Sequence, residues 1–315
     1  MKNFLKANDI HPVNKWVELG LGHAKKPHAN DSLAKHKTVG LLFFNSSLRT
    51  RLSSIRAAQN LGAHVWVLDA ASDGWKLEFE KNVIMNADKA EHLQEAVQVM
   101  SSYCDVLGVR AFPKLLDREE DYSEALFADI LQYATVPIVS LESATRHPLQ
   151  SLSDLITMRQ LHPNKENLKV ILTWAPHPKA LPQSVPNSFA EWCNAADWID
   201  LTIAAPEQYN LSPDFVAQAN QTADQLGAFE NADIIYAKNW SGFEEYGRVS
   251  PVDSNWMVTA EKMALTNKAS FLHCLPVRRN VVVEDAVMDS PQSKVIQQAE
   301  NRIYSAQAVF AELLL

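Results

Sequence analysis

The chain has 315 residues, 47% hydrophobic and 21% charged, with a formal net charge of −8; its length suits two soluble domains, and its negative balance argues against a nucleic-acid or anionic-membrane surface. No apolar run approaches the roughly 18 residues of a membrane span, and the first residues lack a secretory apolar core. Cys104, Cys193 and Cys274 are odd in number and far apart, so they make neither a disulfide framework nor a CxxC metal clip, which fits a reducing, cytoplasmic setting.

In chain order, residues 39–44, 65–69, 106–109 and 137–139 read as short buried parallel strands. Helical spacing occupies residues 50–61, 92–103 and 122–133 between and after them. A further helix over 149–161 bridges to a second half built in the same way. There, residues 169–174, 198–203, 234–236 and 270–274 read as strands, and 188–196, 213–226, 259–267 and a terminal segment from about 298 as helices. Strand–helix alternation in both halves predicts an α/β chain with two doubly wound parallel sheets.

In such sheets ligands bind beyond the carboxyl ends of the strands, and the unusual polar residues of this chain gather there. Residues 45–51 follow the first strand, Arg110 the third, Glu142 and His147 the fourth. His177, Lys238 and the 273–278 segment follow strands of the second half. Six such clusters predict one cleft between two domains.

The stretch VGLLFFNSSLRTRLSS ends a strand in two serines, two arginines and a threonine. A helix starting near Arg49 offers free backbone N–H groups and partial positive charge, which favour phosphate. Ser47 and Thr50 add hydroxyls and Arg49 a bidentate cation. An ordinary serine N-cap followed by solvated arginines is the plain alternative, and Arg51 suits a structural partner. With neither a Walker loop nor GxGxxG, and only nine glycines, nucleotide binding through such loops is unsupported.

His147 precedes Pro148, suiting a helix start, with Gln150 and Asp154 on one polar face. His147 could donate to a carbonyl oxygen and Gln150 hold an amide, or His147 could be a cap or surface residue. In HCLPVRRN, a strand would turn His273 and Cys274 to opposite faces, which excludes a Cys–His nucleophile pair. Cys274 could line the cleft or be an inert buried thiol. Arg278 and Arg279 are either solvated or hold one carboxylate clamp.

Taken together, these residues carry a pattern. Ser47-Leu48-Arg49-Thr50-Arg51 resembles the S-T-R-T-R motif of the transcarbamylases, with Leu48 in place of the threonine at the motif's second position. His147-Pro148-Leu149-Gln150 resembles their H-P-x-Q, and His273-Cys274-Leu275-Pro276 the H-C-L-P of the ornithine branch. The likeness runs from about residue 39 to 302.

The resemblance implies a transcarbamylase fold, a homotrimer with active sites shared between subunits, and neither metal nor cofactor. The implied domains are 1–146 for carbamoyl phosphate and 147–297 for the amine substrate, with a terminal helix of about 298–315 packing back on the first. Ornithine enzymes bind the free α-ammonium through an Asp and a Ser-Met-Gly loop. Here YAKNWSGFEEYG has Lys238 and no Ser-Met-Gly. A lysine repels an ammonium, so the α-amine should be acylated. FFNSSLRTRLS, WAPHPKALPQSVPNSFAEW and YAKNW resemble the N-acetylornithine/N-succinylornithine transcarbamylases, a group with a knotted second domain.

By the same resemblance, Ser47, Leu48, Arg49, Thr50, Arg302 and a neighbouring subunit's equivalent of Trp75 hold the phosphate. Arg110 and His147 polarise the carbonyl, and Gln150 with Cys274 and Leu275 holds the carbamoyl amide. Glu142, His177, Lys238 and Arg278 place N-acylornithine, with Cys274 orienting its δ-amine. The position of Ala90 is glutamate in acetylornithine enzymes and proline in succinylornithine enzymes. Alanine leaves room for a second carboxylate, which favours succinyl over the acetyl alternative. A catalytically dead phosphate-binding homologue is the other alternative. The H-C-L-P motif argues against aspartate transcarbamylase, and the missing glycine fingerprint against a dehydrogenase.

Overall fold

The computed structural model describes residues 1–70, 72–252 and 256–315. In chain order its α-helices and strands begin with α1 (Val13–Lys25), β1 (Thr38–Phe43), α2 (Leu48–Asn60), β2 (His64–Asp69), β3 (Leu77–Glu78), β4 (Glu91–His92) and α3 (Leu93–Ser102). Next come β5 (Val106–Arg110), α4 (Arg118–Tyr122), α5 (Ala125–Tyr133), β6 (Ile138–Glu142) and α6 (Pro148–Leu161). The second half holds β7 (Leu168–Trp174), α7 (Ser184–Asn194), β8 (Ile199–Ala204), α8 (Pro213–Val216), β9 (Asn220–Thr222), α9 (Gln225–Phe229) and β10 (Ile234–Lys238). It closes with α10 (Ala260–Met263), β11 (Ser270–Leu272), α11 (Asp285–Met288) and α12 (Val295–Leu314).

Two parallel sheets result, ordered β2-β1-β5-β6 and β11-β10-β7-β8-β9. The alternation of side chains along β1 explains why the first sheet is covered on both faces. Val39, Leu41 and Phe43 join the main core with α2 residues Ala57 and Ala58, while Leu42 joins a second core with Leu93, Val97, Phe127 and Ile130. In both sheets the first strand pairs on either side, β1 with β2 and β5, β7 with β8 and β10. The crevice where strand order reverses therefore opens at the carboxyl ends of β1/β5 and β7/β10.

Helix α6 lies between the sheets and is buried from Pro148 through Met158. A helix surrounded by protein must satisfy its polar side chains internally, and three hydroxyls of this one do so. Ser151 Oγ donates to Ser188 Oγ (2.9 Å), Ser153 Oγ to the Gln298 carbonyl (2.8 Å) and Thr157 Oγ1 to the Ser153 carbonyl (2.7 Å). Helix α12 packs on α1, α2 and α6, returning the end of the chain to the first sheet's side.

Several sequence expectations are corrected. The helix expected over 122–133 breaks at Glu124, which adopts φ 52° and whose carboxylate accepts from Ser143 Oγ and the Thr145 N–H. The helix expected over 213–226 is instead α8, edge strand β9 and α9, with a turn at Ala217 (φ 48°). Pairing with β8 outweighs helical propensity there. Helix α7 starts at Ser184 rather than 188, because Pro186 sits in its first turn, where the missing N–H costs nothing. The segment 259–267 shortens to α10, while α1 went unread in the sequence. Finally, the strand expected over 270–274 stops at Leu272, so His273 and Cys274 lie in a loop.

Candidate active site

Ser47 caps α2, accepting the Thr50 N–H at 3.3 Å. The plain N-cap reading is thus realised, but the hydroxyl proton stays available to a ligand, because only the oxygen is used by the cap. Arg51 turns away and stacks on Phe43, its guanidinium 5.3 Å from the ring. Arg49 and Thr50 face the same cavity as Ser47.

That cavity, about 250 Å³, is enclosed by the ends of both sheets. Of the expected residues, Ser47, Arg49, Thr50, Arg110, Glu142, His147, Gln150, His177, Lys238, Cys274, Leu275 and Arg302 line it. Arg278 does not, but its Nε donates to His177 Nε2 at 3.0 Å. Leu48, Trp75 and Ala90 also lie off the lining. Leu48 and Trp75 are exposed, and the Ala90 N–H is tied to the Lys76 carbonyl at 3.1 Å.

Arginine and carboxylate set the floor. Glu142 Oε2 accepts from Arg110 Nε at 3.1 Å and Nη2 at 3.0 Å, and its Oε1 accepts from Ser184 Oγ at 2.9 Å. Arg110 Nη1 also donates to the carbonyls of Asn45 (2.9 Å) and Ser46 (3.1 Å), fixing the turn that leads into α2. Arg302, from α12, donates through Nη2 to Thr50 Oγ1 at 2.6 Å, and the same nitrogen lies 3.3 Å from His147 Nε2. Among the described lining residues, Arg49, Arg110, Arg302 and Lys238 face a single carboxylate, Glu142. The surplus of positive charge suits a multiply charged anion.

Burial shifts these groups. It holds His147 well below its ordinary pKa, reinforced by Arg302, Arg110 and Arg49, so the ring is neutral at pH 7. Burial also lowers Arg302 to about 10, which leaves it cationic at pH 7, and it depresses Lys238, against the pull of Cys274 and Glu142. It raises the Cys274 thiol, which Lys238 pulls the other way. Arg49 Nε, Arg302 Nε, His147 Nδ1 and Gln150 Oε1 are buried without hydrogen-bond partners. Buried polar atoms of this kind are expected where a ligand completes the network.

His273 Nδ1 accepts the Leu275 N–H at 2.9 Å, and burial lowers the ring's pKa well below its ordinary value. The Cys–His nucleophile stays excluded, though by this spent nitrogen and not by strand alternation. Leu275, at φ 56°, turns the loop along the cavity wall. Sequence reasoning missed Phe112, Leu181, Pro182, Ser184, Val185 and Pro276 on the lining. The signal for Ser184 was present, since Pro186 marks a helix first turn as readily as a break.

Comparison with known proteins agrees with this geometry. Residues 2–160 match the aspartate/ornithine carbamoyltransferase carbamoyl-P binding domain, and residues 182–313 the Asp/Orn binding domain of the same family. The chain is 49% identical to an N-succinylornithine carbamoyltransferase of Bacteroides thetaiotaomicron, covering 100% of this chain and 99% of the relative. It is 34% identical to an N-acetylornithine carbamoyltransferase of Xanthomonas campestris, over 100% and 98% of the two chains. A crystal structure of an N-acetyl-L-ornithine transcarbamylase with one glutamate changed to alanine, complexed with carbamyl phosphate and N-succinyl-L-norvaline, superposes with a TM-score of 0.92. It shares 34% identity and covers 99% of this chain and 100% of that one. Two parallel-sheet halves, a cationic cavity at their switch points and full-length similarity place the chain in the aspartate/ornithine carbamoyltransferase family.

Proposed function

We propose that the protein moves the carbamoyl group of carbamoyl phosphate to the δ-amine of N2-succinyl-L-ornithine, giving N-succinylcitrulline and phosphate, a cytoplasmic step of arginine biosynthesis. The single observation that carries the reading is the cavity at the end of β1, where Arg49, Arg110 and Arg302 converge around the α2 N-terminus with one balancing carboxylate. The phosphate would take the Ser47 and Thr50 hydroxyls, the Leu48 backbone and the Arg49 and Arg302 guanidiniums. Arg110 and the neutral His147, with its proton on Nε2 once ligand is bound, would stabilise the oxyanion formed on δ-amine attack. Gln150 and the Cys274 and Leu275 carbonyls would hold the carbamoyl NH2. The departing phosphate takes the amine proton, so orientation supplies much of the rate, a contribution on the order of 7–11 kcal/mol.

Lys238 at the cavity wall supports an acylated α-amine, because its ammonium and a free α-ammonium repel. Glu142, His177, Lys238 and Arg278 are assigned to the N-acylornithine, Arg278 at its acidic end. The 49% relative supports succinyl over acetyl. The structure of a glutamate-to-alanine transcarbamylase with a succinyl ligand supports Ala90 as the selector. Leu48, Leu52, Trp75, Ile84 and Met85 are exposed apolar side chains, which supports a homotrimer in which Trp75 and Ala90 complete a neighbour's site. The proposed domains are 1–146 and 147–297, with residues 298–315 packed on the first, and the second domain is proposed to be knotted. Among the described residues no helix is long and apolar enough to cross a membrane.

The test is ureido product formation from carbamoyl phosphate with ornithine, N-acetylornithine or N-succinylornithine. The expected result is a kcat/KM at least tenfold higher for the succinyl substrate. Turnover of free ornithine alone overturns the branch, and no turnover of any amine leaves a phosphate-binding homologue.

A further inference from the structure

Behind the cavity lies a carboxylate that the proposed chemistry does not use. Asp154, one turn along α6 from Gln150, is fully buried together with Gln150 and Gln298. Its Oδ1 accepts from both side-chain amides, Gln150 Nε2 at 2.7 Å and Gln298 Nε2 at 2.7 Å. Gln298 in turn accepts the His273 backbone N–H through Oε1 at 2.9 Å. Each orientation is forced. A backbone N–H can only donate, so Gln298 must offer its oxygen to His273 and its NH2 to Asp154. As a carboxylate, or with its proton on Oδ2, Asp154 can only accept through Oδ1, so Gln150 also presents its NH2 inward. The Gln150 oxygen is thereby left buried, without a partner, on a residue that lines the cavity.

We propose that Asp154 is the positioning residue that makes this end of the cavity an acceptor of amide N–H groups, aligning Gln150 Oε1 directly and the Cys274–Leu275 carbonyls through Gln298 and His273. The inference rests on the proposed carbamoyl-phosphate site and explains how that site selects NH2 over an oxygen or a methyl. One carboxylate oxygen couples α6, α12 and the loop after β11, three elements that supply different parts of the pocket. The raised pKa of Asp154, about 7 and due first to burial, does not alter the argument. A proton on Oδ2 leaves Oδ1 an acceptor, and Tyr236 lies alongside the same carboxylate.

Calorimetric titration of the full chain with phosphonoacetamide, phosphonoacetate and inorganic phosphate tests this. In Asp154→Asn the new amide can donate to Gln150 Oε1, so Gln150 can turn its NH2 to the cavity. The expected result is a preference for phosphonoacetamide over phosphonoacetate that shrinks at least tenfold, with phosphate affinity within twofold of wild type. Gln298→Met approaches from the other arm, removing the His273 anchor. It should weaken phosphonoacetamide at least fivefold with phosphate again within twofold. Retained preference in both variants, or parallel loss of all three ligands, overturns the positioning role. A wild-type protein that does not favour phosphonoacetamide over phosphate overturns the carbamoyl-phosphate reading itself, and the inference with it.

Discussion

Replacing Glu142 by glutamine isolates the electrostatic design of the cavity. The amide is nearly isosteric; its oxygen can face Arg110, and its NH2 can face Ser184, whose hydroxyl turns to accept. Arg110 keeps both acceptor contacts and Ser184 keeps a partner, now as acceptor, so the main cost is the lost charge. Two guanidinium bonds, at 3.1 and 3.0 Å, change from charge-assisted to neutral acceptors. Each such change is worth about 1–1.5 kcal/mol, so the variant should lose roughly 2–3 kcal/mol of stability. Surplus positive charge from Arg49, Arg110 and Arg302 then makes a bound anion more valuable than in wild type. Urea unfolding with and without saturating inorganic phosphate measures both effects. The destabilisation should fall by at least half when phosphate supplies the missing countercharge. Equal destabilisation in both buffers, or none, refutes the view that Glu142 balances an anion site.

Three further outcomes follow from the same geometry. Ala90→Glu should move substrate preference from N-succinylornithine towards N-acetylornithine in the three-amine assay, and an unchanged ratio removes Ala90 as selector. Arg302→Met should raise the KM for carbamoyl phosphate roughly 10–150-fold, the loss of one charge-assisted contact. It should also raise the His147 pKa in an NMR titration, because Arg302 is the nearest charge acting with burial to keep the ring neutral. Acid should weaken the fold. His147 and His273 have folded pKa values well below 6.5, so below that pH the unfolded chain binds two protons that the native chain refuses. Asp154, raised to about 7, opposes them with one proton that only the native chain holds. Burial lowers His23, His162 and His177 in the same direction, so the histidines outnumber Asp154 and stability should fall as the pH drops below 6.5. Urea midpoints at pH 7 and 5.5 check the sign, and a rise on acidification contradicts it.

Local chemistry alone made much of the site legible. Asn45–Thr50, Arg110 and His147 stand where apolar strands stop, and a strand end followed by a helix start is a short-range pattern. Lys238 and Glu142 were visible as cluster members, although the strands bearing them extend further than the apolar runs suggested. Long-range pairing was not legible. The split of 213–226 into α8, β9 and α9 depends on β8 offering an edge. The end of β11 at Leu272 depends on Gln298, 25 residues away in sequence, taking the His273 N–H.

By itself, then, the sequence determined an α/β chain of two halves and a turn after the first strand that gathers serine, threonine and arginine at a helix start. Those follow from apolar periodicity, helix-end chemistry and charge, all local properties. Only the tertiary structure decided that β1 and β7 are central, so that two switch points share one crevice. It alone brought Arg302 from the last helix to Thr50, set Glu142 between Arg110 and Ser184, and hid Asp154 behind Gln150. These contacts join residues up to 252 positions apart, and packing of buried elements, which no local spacing encodes, is what holds them together.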